Sequence, residues 1–267
     1  MRICSLASGS SGNCIFVSSG LTKILVDAGV SGVKIEQELS AIGESIDNID
    51  AMLVTHEHID HIKSMGVLAR KHAISIYGTQ GTIEAAICGN HPVGKISPAL
   101  INYIEPNEAF MIGDILVTPF SVSHDAADPV AYCFESGGKK IGTATDLGFF
   151  DDYTVENLKN SSILYLESNH DVHMLEAGTY PYALKQRVKG EKGHLSNDSC
   201  ADLVVRLCNE SEINVGHVIL AHLSAENNFP DLAYETVNSE IKIKLNPDKR
   251  PEIHVAPRGV HSYIAEI

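Results

Sequence analysis

The sequence lacks an apolar stretch that approaches the length needed to cross a bilayer. Its first residues also lack the charged segment and long apolar core of a secretion signal. The six cysteines form no C-x-x-C pair, and we interpret them as buried thiols of a reducing compartment and not as metal ligands. These absences argue against a secreted or membrane protein. We expect a soluble, cytoplasmic protein that does not associate with a membrane.

Linkers, low-complexity tracts and convincing internal repeats are also lacking. With 44% hydrophobic residues, the chain can bury a sizeable core. We therefore predict a single domain that covers residues 1–267.

Positive charge is scarce as well. The sequence has 20 Lys and Arg against 34 Asp and Glu, which gives a net charge of −14, whereas a nucleic-acid-binding surface is usually basic. One basic run, Lys185, Arg187, Lys189 and Lys192, comes just before His194. It is either an ordinary solvated helix face or a local funnel that guides a polyanion despite the acidic body.

One hexapeptide is rich in potential metal ligands. Residues 56–61 read H-x-H-x-D-H and directly follow an apolar run. Imidazole suits zinc and other borderline metals, and carboxylate also accepts manganese. A loop leaving a strand could let His56 and His58 hold one ion while Asp60 and His61 hold another, since side chains within a strand alternate faces. We predict a two-metal site in preference to a histidine-rich surface turn.

Three further potential ligands each follow a strand-like run. They are His124, Asp146 and His222. Alone, each would be interpreted as a hydrogen-bonded loop residue. Beside the hexapeptide, a shared metal centre is the favoured interpretation.

The order of these motifs resembles the metallo-β-lactamase superfamily. The resemblance implies an α/β (α+β) fold, the four-layer αββα sandwich, whose halves would divide near residue 135 and share one core. It also implies two divalent ions that share Asp146 as a bridging ligand. The ions would be zinc or manganese, and these ligands also accept iron. One ion would be bound by His56, His58, His124 and Asp146, and the other by Asp60, His61, Asp146 and His222.

Hydrophobic periodicity adds a coarse secondary structure. Helical spacing of Ile35, Leu39 and Ile42 follows a possible Ser31 cap, and a second apolar stripe lies within residues 233–245. The predicted strands lie near residues 2–6, 14–18, 22–27, 50–54, 74–77, 115–122, 130–135, 140–144, 162–166, 217–221 and 252–255.

Two turns between these strands have open interpretations. The polar turn of residues 8–13 is either a plain hairpin turn or a part of the cleft in which Ser10, Ser11 or Asn13 donates to a substrate phosphate. For Asp27, the resemblance implies an outer residue that orients the H-x-H-x-D-H loop. An Asp that merely caps or closes the turn is the alternative.

Four sequence patches narrow the resemblance to the YycJ/WalJ family of exonucleases with this fold. They are residues 123–129, 166–171, 192–197 and 221–224, and the similarity runs from Met1 to about Phe229. The family resemblance implies hydrolysis of phosphodiesters, with 5′ to 3′ degradation of DNA, single-stranded by preference. Protein partners are left unknown.

The resemblance also suggests roles for individual residues. A hydroxide that bridges the two ions, oriented by Asp60, would attack the phosphorus. His194 would donate to a phosphate oxygen or protonate the departing 3′ oxygen, unless it merely caps the following helix. Asn169, Lys192 and Ser196 are further candidates for substrate contacts.

Two alternative functions remain open. One is the hydrolysis of small cyclic or linear phosphodiesters, which needs the same chemistry but no basic funnel. The other is a metal-stabilised binding module without catalysis, against which the full ligand set and His194 both argue. The remaining histidines have no assigned role and are expected to be exposed or hydrogen-bonded; they are His72, His91, His173, His217, His254 and His261.

Overall fold

The computed structural model describes residues 1–89 and 93–267, so His91 lies outside the described residues. Within these ranges fourteen strands form two seven-stranded sheets. The strands of the first sheet are β1 Arg2–Ala7, β2 Cys14–Ser18, β3 Lys23–Val26, β4 Ala51–Leu53, β5 Ser75–Gly78, β6 Ile101–Tyr103 and β14 Ala265–Glu266. Their order is β14-β1-β2-β3-β4-β5-β6.

The second sheet is built from the middle and the end of the chain. Its strands are β7 Phe110–Ile112, β8 Ile115–Ser121, β9 Val130–Ser136, β10 Lys139–Ala144, β11 Ile163–Glu167, β12 His217–Ala221 and β13 Glu252–Val255. They are arranged in the order β13-β12-β11-β10-β9-β8-β7.

Nine α-helices occur in the described residues. They are α1 Gly32–Ala41, α2 Ile59–Ile62, α3 Met65–His72, α4 Gln80–Cys88, α5 Asp152–Leu158, α6 Val172–Ala177, α7 Tyr182–Lys189, α8 Asn197–Glu210 and α9 Pro230–Lys244. Ser31 caps α1, as predicted, by accepting a hydrogen bond from the backbone N–H of Lys34. The apolar stripe of α9 is buried at Ala233, Val237 and Ile241.

The layers follow from the alternation of side chains along the strands. In β12, Ile219 and Ala221 join the core between the two sheets, whereas Val218 and Leu220 pack against the outer core that contains residues of α8 and α9. A third apolar cluster lies between the first sheet and its own helices, which include α1 and α3. This arrangement confirms the predicted αββα sandwich.

All eleven predicted strands are present, and three strands were not predicted. The additional strands are β6, β7 and β14, which have only three, three and two residues. Segments this short do not complete a recognisable alternation. Among the described residues, no helix combines the length and the apolarity that a membrane crossing requires. The single domain and the cytoplasmic location stay predictions.

Parallel pairing brings the ends of several strands to one edge of the sandwich. Strands β3 to β6 run parallel in the first sheet, and β10 to β13 run parallel in the second. Strand β8 has the direction of β10, since both pair antiparallel with β9. The segments that follow β3, β4, β8, β10 and β12 contain the predicted metal-site residues.

Candidate metal centre

The H-x-H-x-D-H segment crosses from extended chain into a helix. His58 has extended backbone angles and directly precedes α2, so His56 and His58 lie in the extended part. Asp60 and His61 lie in the first turn of α2. Because the backbone conformation changes within this segment, its four closely spaced side chains point towards two neighbouring places where an ion can bind.

A turn from the first sheet supports this segment from behind. The Asn13 N–H donates to the Asp60 carbonyl over 2.8 Å, and the Gly29 N–H donates to the Asn13 carbonyl over 2.8 Å. A Cβ at Gly29 would lie 1.6 Å from the Asp60 carbonyl oxygen. Only glycine therefore permits this close approach.

The structure brings all seven predicted ligands together. The ligand atoms of His56, His58 and His124 lie within 4.8 Å of one another, and so do those of Asp60, His61 and His222. Asp146 lies between the two groups. Its carboxylate oxygens are 3.3 Å from His61 Nε2, 3.5 Å from His222 Nε2 and 3.9 Å from His124 Nε2.

Several buried polar atoms of this cluster have no hydrogen-bond partner among residues 1–89 and 93–267. They are His56 Nε2, Asp146 Oδ2 and His222 Nε2. Unpaired polar atoms in a protein interior are costly, and cations satisfy both imidazole nitrogen and carboxylate oxygen. The donor set therefore fits divalent ions of the zinc or manganese class.

Three residues of the site have left-handed backbone conformations. The φ angles of Asp27, Asp146 and His222 are 62°, 57° and 55°. Asp27 and His222 directly follow β3 and β12, and Asp146 comes two residues after β10. Such conformations are unfavourable outside glycine and are concentrated at functional sites.

Asp27 has the contacts expected of a residue that orients a ligand. Its Oδ2 accepts a hydrogen bond from His61 Nδ1 over 2.7 Å, and its Oδ1 accepts from the Thr55 N–H over 2.8 Å. The contact at Nδ1 turns His61 Nε2 towards Asp146. Burial lowers the pKa of His61, but the carboxylates of Asp27 and Asp146 outweigh it and raise the pKa to about 9. The surroundings of this ring therefore favour positive charge.

Glu167 is a site residue that the sequence interpretation missed. It closes β11 and is fully buried. Its Oε1 accepts from His194 Nδ1 and from His222 Nδ1, each over 2.8 Å. Its Oε2 accepts from the backbone N–H groups of Leu147 and Leu195 over 3.0 and 3.2 Å. The detectable signal was a carboxylate that ends an otherwise apolar strand.

The carboxylate of Glu167 stays ionised in this setting. Burial alone would raise the pKa of Glu167, but the imidazoles of His194 and His222 hold it below its ordinary value. An ionised carboxylate only accepts, so both rings donate through Nδ1 and direct Nε2 away from Glu167.

The predicted substrate-contact residues fall into two groups. Ser10, Asn169 and His194 line an open cleft together with the predicted ligands His58, Asp60, Asp146 and His222. The Asn169 amide also donates to the His222 carbonyl over 2.8 Å.

Asn13, Lys192 and Ser196 lie outside the lining of this cleft. The Asn13 amide lies 3.0 Å from His61 Nε2, so it faces the predicted ligands. Ser196 caps α8 by accepting from the Ser199 N–H, and Lys192 is exposed. The helix is thus capped by Ser196 and not by His194.

Helix α7 contains most of the basic run, and it contributes Leu184, Arg187 and Val188 to one wall of the cleft. The Arg187 guanidinium, which lines the cleft, forms a two-point ion pair with Asp125 at 2.6 and 3.0 Å. Lys189 lies 3.5 Å from the Glu176 carboxylate, and Lys185 donates to the Glu176 carbonyl. Part of the positive charge is therefore neutralised within the protein.

Known proteins are similar in sequence to this chain. The family model described as "Beta-lactamase superfamily domain" matches residues 22–222, which contain every predicted ligand. Exodeoxyribonuclease YycJ of Bacillus anthracis is 37% identical over 239 residues, spanning 90% of this chain and 88% of the relative. Exodeoxyribonuclease WalJ of Streptococcus pneumoniae (serotype 2, strain D39) is 38% identical over 237 residues, spanning 88% and 86%. The chain belongs to the YycJ/WalJ family of the beta-lactamase superfamily.

Solved structures show the same fold as this YycJ/WalJ family member. The metallo-β-lactamase fold protein YhfI from Bacillus subtilis superposes over 100% of both chains with a TM-score of 0.70 and 17% identity. Zn(2+)-bound PqqB from Methylobacterium extorquens also superposes over 100% of both chains, with a TM-score of 0.70 and 19% identity. These likenesses confirm the predicted metallo-β-lactamase fold.

In this member of the YycJ/WalJ family, we expect Glu167→Gln to lower the turnover of a phosphodiester substrate about 10- to 100-fold. The glutamine amide has one acceptor oxygen and cannot accept all four hydrogen bonds that the carboxylate accepts. The orientation of His194 and His222 is then lost, although the volume of the side chain is kept. Steady-state kinetics and the metal content per chain measure the effect.

Glu135→Gln is the matched control for this variant, since Glu135 is exposed on β9. It should leave turnover and metal content unchanged. Wild-type values in the Glu167→Gln protein would show that the buried carboxylate does not position these histidines.

Proposed function

We propose that this chain is an exodeoxyribonuclease that removes nucleotides from the 5′ end of DNA with the help of two divalent ions. The chain is a phosphodiester-cleaving hydrolase by family. One observation supports the finer proposal: Asp146 lies within ligand distance of both His/Asp groups and in the same cleft as His194.

We divide the proposed ligands between the two ions as the family resemblance implies. One ion would be held by His56, His58 and His124. The other ion would be held by Asp60, His61 and His222. Asp146 would be a ligand of both ions. When bound, such a pair supplies a hydroxide near neutral pH and polarises the phosphoryl oxygen. We propose that the metal is zinc or manganese. Iron is also compatible with these donors.

Asp60 and His194 are the proposed catalytic residues, and they lie on the same cleft. The Asp60 carboxylate accepts a hydrogen bond from the attacking water and so orients it. Glu167 holds His194 by Nδ1, which leaves Nε2 to donate to a phosphoryl oxygen or to give a proton to the departing 3′ oxygen. Asp60 would thus serve the entering oxygen and His194 the leaving oxygen.

Ser10 and Asn169 are the proposed contacts for the substrate's phosphates. Both line the cleft beside Asp60 and His222. A hydroxyl and an amide N–H can each donate to a phosphate oxygen without adding charge. The 5′ polarity and the preference for single strands rest on the family resemblance.

A small-phosphodiester hydrolase is the second candidate function. The pairing of Arg187 with Asp125 and of Lys189 with Glu176 favours it, since it reduces the positive charge available to a polymer. A binding module without catalysis is disfavoured, because such a module has no need for a buried carboxylate that orients His194.

The proposal is tested by following the degradation of end-labelled DNA by zinc- or manganese-loaded protein. The DNA is single-stranded or duplex and carries its label at either the 5′ or the 3′ end. Stepwise loss from the 5′ end is expected. If neither metal gives loss of DNA while bis-p-nitrophenyl phosphate is hydrolysed, the small-phosphodiester function replaces the proposal.

Charge reversal on α7 separates the two functions further. Lys185→Glu with Lys189→Glu should lower turnover of DNA about tenfold at low salt, with little effect on the small diester. Added salt should shrink the difference. Lys139→Glu with Lys242→Glu changes the net charge equally at exposed positions and is the control. Equal losses on both substrates would argue against electrostatic guidance of a polymer.

A further inference from the structure

A second group of potential metal ligands lies at the other end of β12. His217 is the first residue of this strand, whereas His222 directly follows its last. His222 is five positions after His217, which corresponds to roughly 16 Å along an extended chain. The second group consists of His217, Glu252 and His254, and it is separate from the centre described above.

Sheet register explains why these three side chains meet. Strand β13 pairs parallel with β12, and Glu252 is the register partner of His217. Alternation places Glu252 and His254 on one face of β13, because they are two residues apart. On the same face of the sheet, Ile219 of β12 packs into the core between the two sheets. The ligand atoms therefore meet at the margin of that core.

The distances suit a tetrahedral ion. His217 Nδ1 lies 3.4 Å from His254 Nε2. Glu252 Oε2 lies 3.6 Å from His217 Nδ1, and Glu252 Oε1 lies 3.6 Å from His254 Nε2. Ligand atoms held about 2.0–2.1 Å from a tetrahedral zinc ion are separated by roughly 3.3–3.4 Å. The two imidazole nitrogens already have this separation, and each has one Glu252 oxygen a few tenths of an ångström beyond it. One ligand atom from each of the three residues lies within 4.8 Å of the other two, so a small rotation of the exposed Glu252 side chain lets all three residues share one ion.

The residues around the site hold the His254 ring in place and leave room for a water molecule as a further ligand. The Tyr263 ring stacks on His254 with ring centroids 3.9 Å apart and planes 10° apart. The two imidazoles are half-buried, whereas Glu252 is 62% exposed. The site is therefore open to solvent, and water can complete the tetrahedron. The net charge of −14 also favours a cation at the surface.

We propose that His217, Glu252 and His254 bind a divalent ion of the zinc class at a site separate from the centre in the cleft. The ion ties the edge strand β13 to its neighbour β12 and leaves the fourth ligand position to water. Its role is structural, since this site lies at the opposite end of β12 from the cleft. A hydrogen-bonded histidine pair without metal is the competing interpretation.

Counting zinc in four proteins tests the proposal. Wild type, His254→Ala, Glu252→Gln and His173→Ala are stripped with a chelator, reloaded with zinc, desalted and measured by elemental analysis. His173 is an exposed histidine on α6 and serves as the control. We expect His254→Ala to hold one zinc per chain less than wild type and His173→Ala, with turnover of DNA unchanged.

Glu252→Gln is the second variant, because His254→Ala also removes the ring that stacks on Tyr263. A loss of zinc in His254→Ala alone would not distinguish a lost ligand from a disturbed local fold. The glutamine keeps the shape of an exposed side chain and should weaken zinc binding at this site about tenfold or more. Equal zinc content in wild type and His254→Ala, or equal zinc content in wild type and Glu252→Gln after the same desalting, overturns the proposal. The readout counts metal, so it is independent of whether the cleft degrades DNA.

Discussion

Replacing Asp146 with alanine is expected to abolish the hydrolysis of DNA and to remove metal from the cleft at the same time. Asp146 is the only predicted ligand assigned to both ions, and its carboxylate lies 3.3 Å from His61 Nε2 and 3.5 Å from His222 Nε2. Metal ions supply several kcal/mol of transition-state stabilisation, so the loss in turnover should be on the order of 10³-fold or more. End-labelled DNA and elemental analysis measure the two effects.

Asp146→Asn separates the charge of this residue from its backbone conformation. Asparagine tolerates the left-handed region better than alanine does, so the turn after β10 should persist. The Asn variant should fold like wild type and still lose metal. Asp248→Ala, at an exposed aspartate, is the control. Full metal content in both Asp146 variants would contradict a bridging role.

Replacing His194 with glutamine is expected to lower the turnover of DNA about 10²- to 10⁴-fold while the metals stay bound. His194 is not a predicted ligand, and Glu167 holds it through Nδ1. Glutamine keeps a hydrogen-bonding group but cannot transfer a proton to the leaving oxygen. Turnover and metal content together distinguish this result from loss of the metal centre.

His173→Gln is the control, since it changes an exposed histidine in the same long segment between Asp146 and His222. Unchanged turnover in His194→Gln would exclude its assigned role. The double variant with Glu167→Gln should lose less than the two single losses multiplied together, because Glu167 acts in part through His194.

The fold and the family were predictable because the motifs carry strong local signals. The H-x-H-x-D-H segment follows β4, and His124, Asp146 and His222 follow three strands of the other sheet. Each ligand type is chemically distinctive and stands where an apolar pattern stops. Strand prediction failed only at β6, β7 and β14, whose pairing depends on neighbouring strands and not on their own short patterns.

Other features of the site depend on tertiary contacts that no local pattern encodes. Glu167 is a single carboxylate after an apolar run, and its importance comes from two histidines 27 and 55 residues away in sequence. The left-handed turn at Asp27 is likewise invisible without the fold. The basic run illustrates the opposite case, since its composition suggested free charge while Asp125 and Glu176 neutralise part of it.

The division of the predicted ligands between the two sheets has a consequence for protein synthesis. His56 and Asp60 follow β4 of the first sheet, whereas His124, Asp146 and His222 follow strands of the second. A growing polypeptide thus lacks a complete set of ligands until residue 222 has left the ribosome and both sheets have docked. The proposed nuclease would therefore stay inactive during translation until the segment that follows β12 has been made and has joined the ligands of the first sheet.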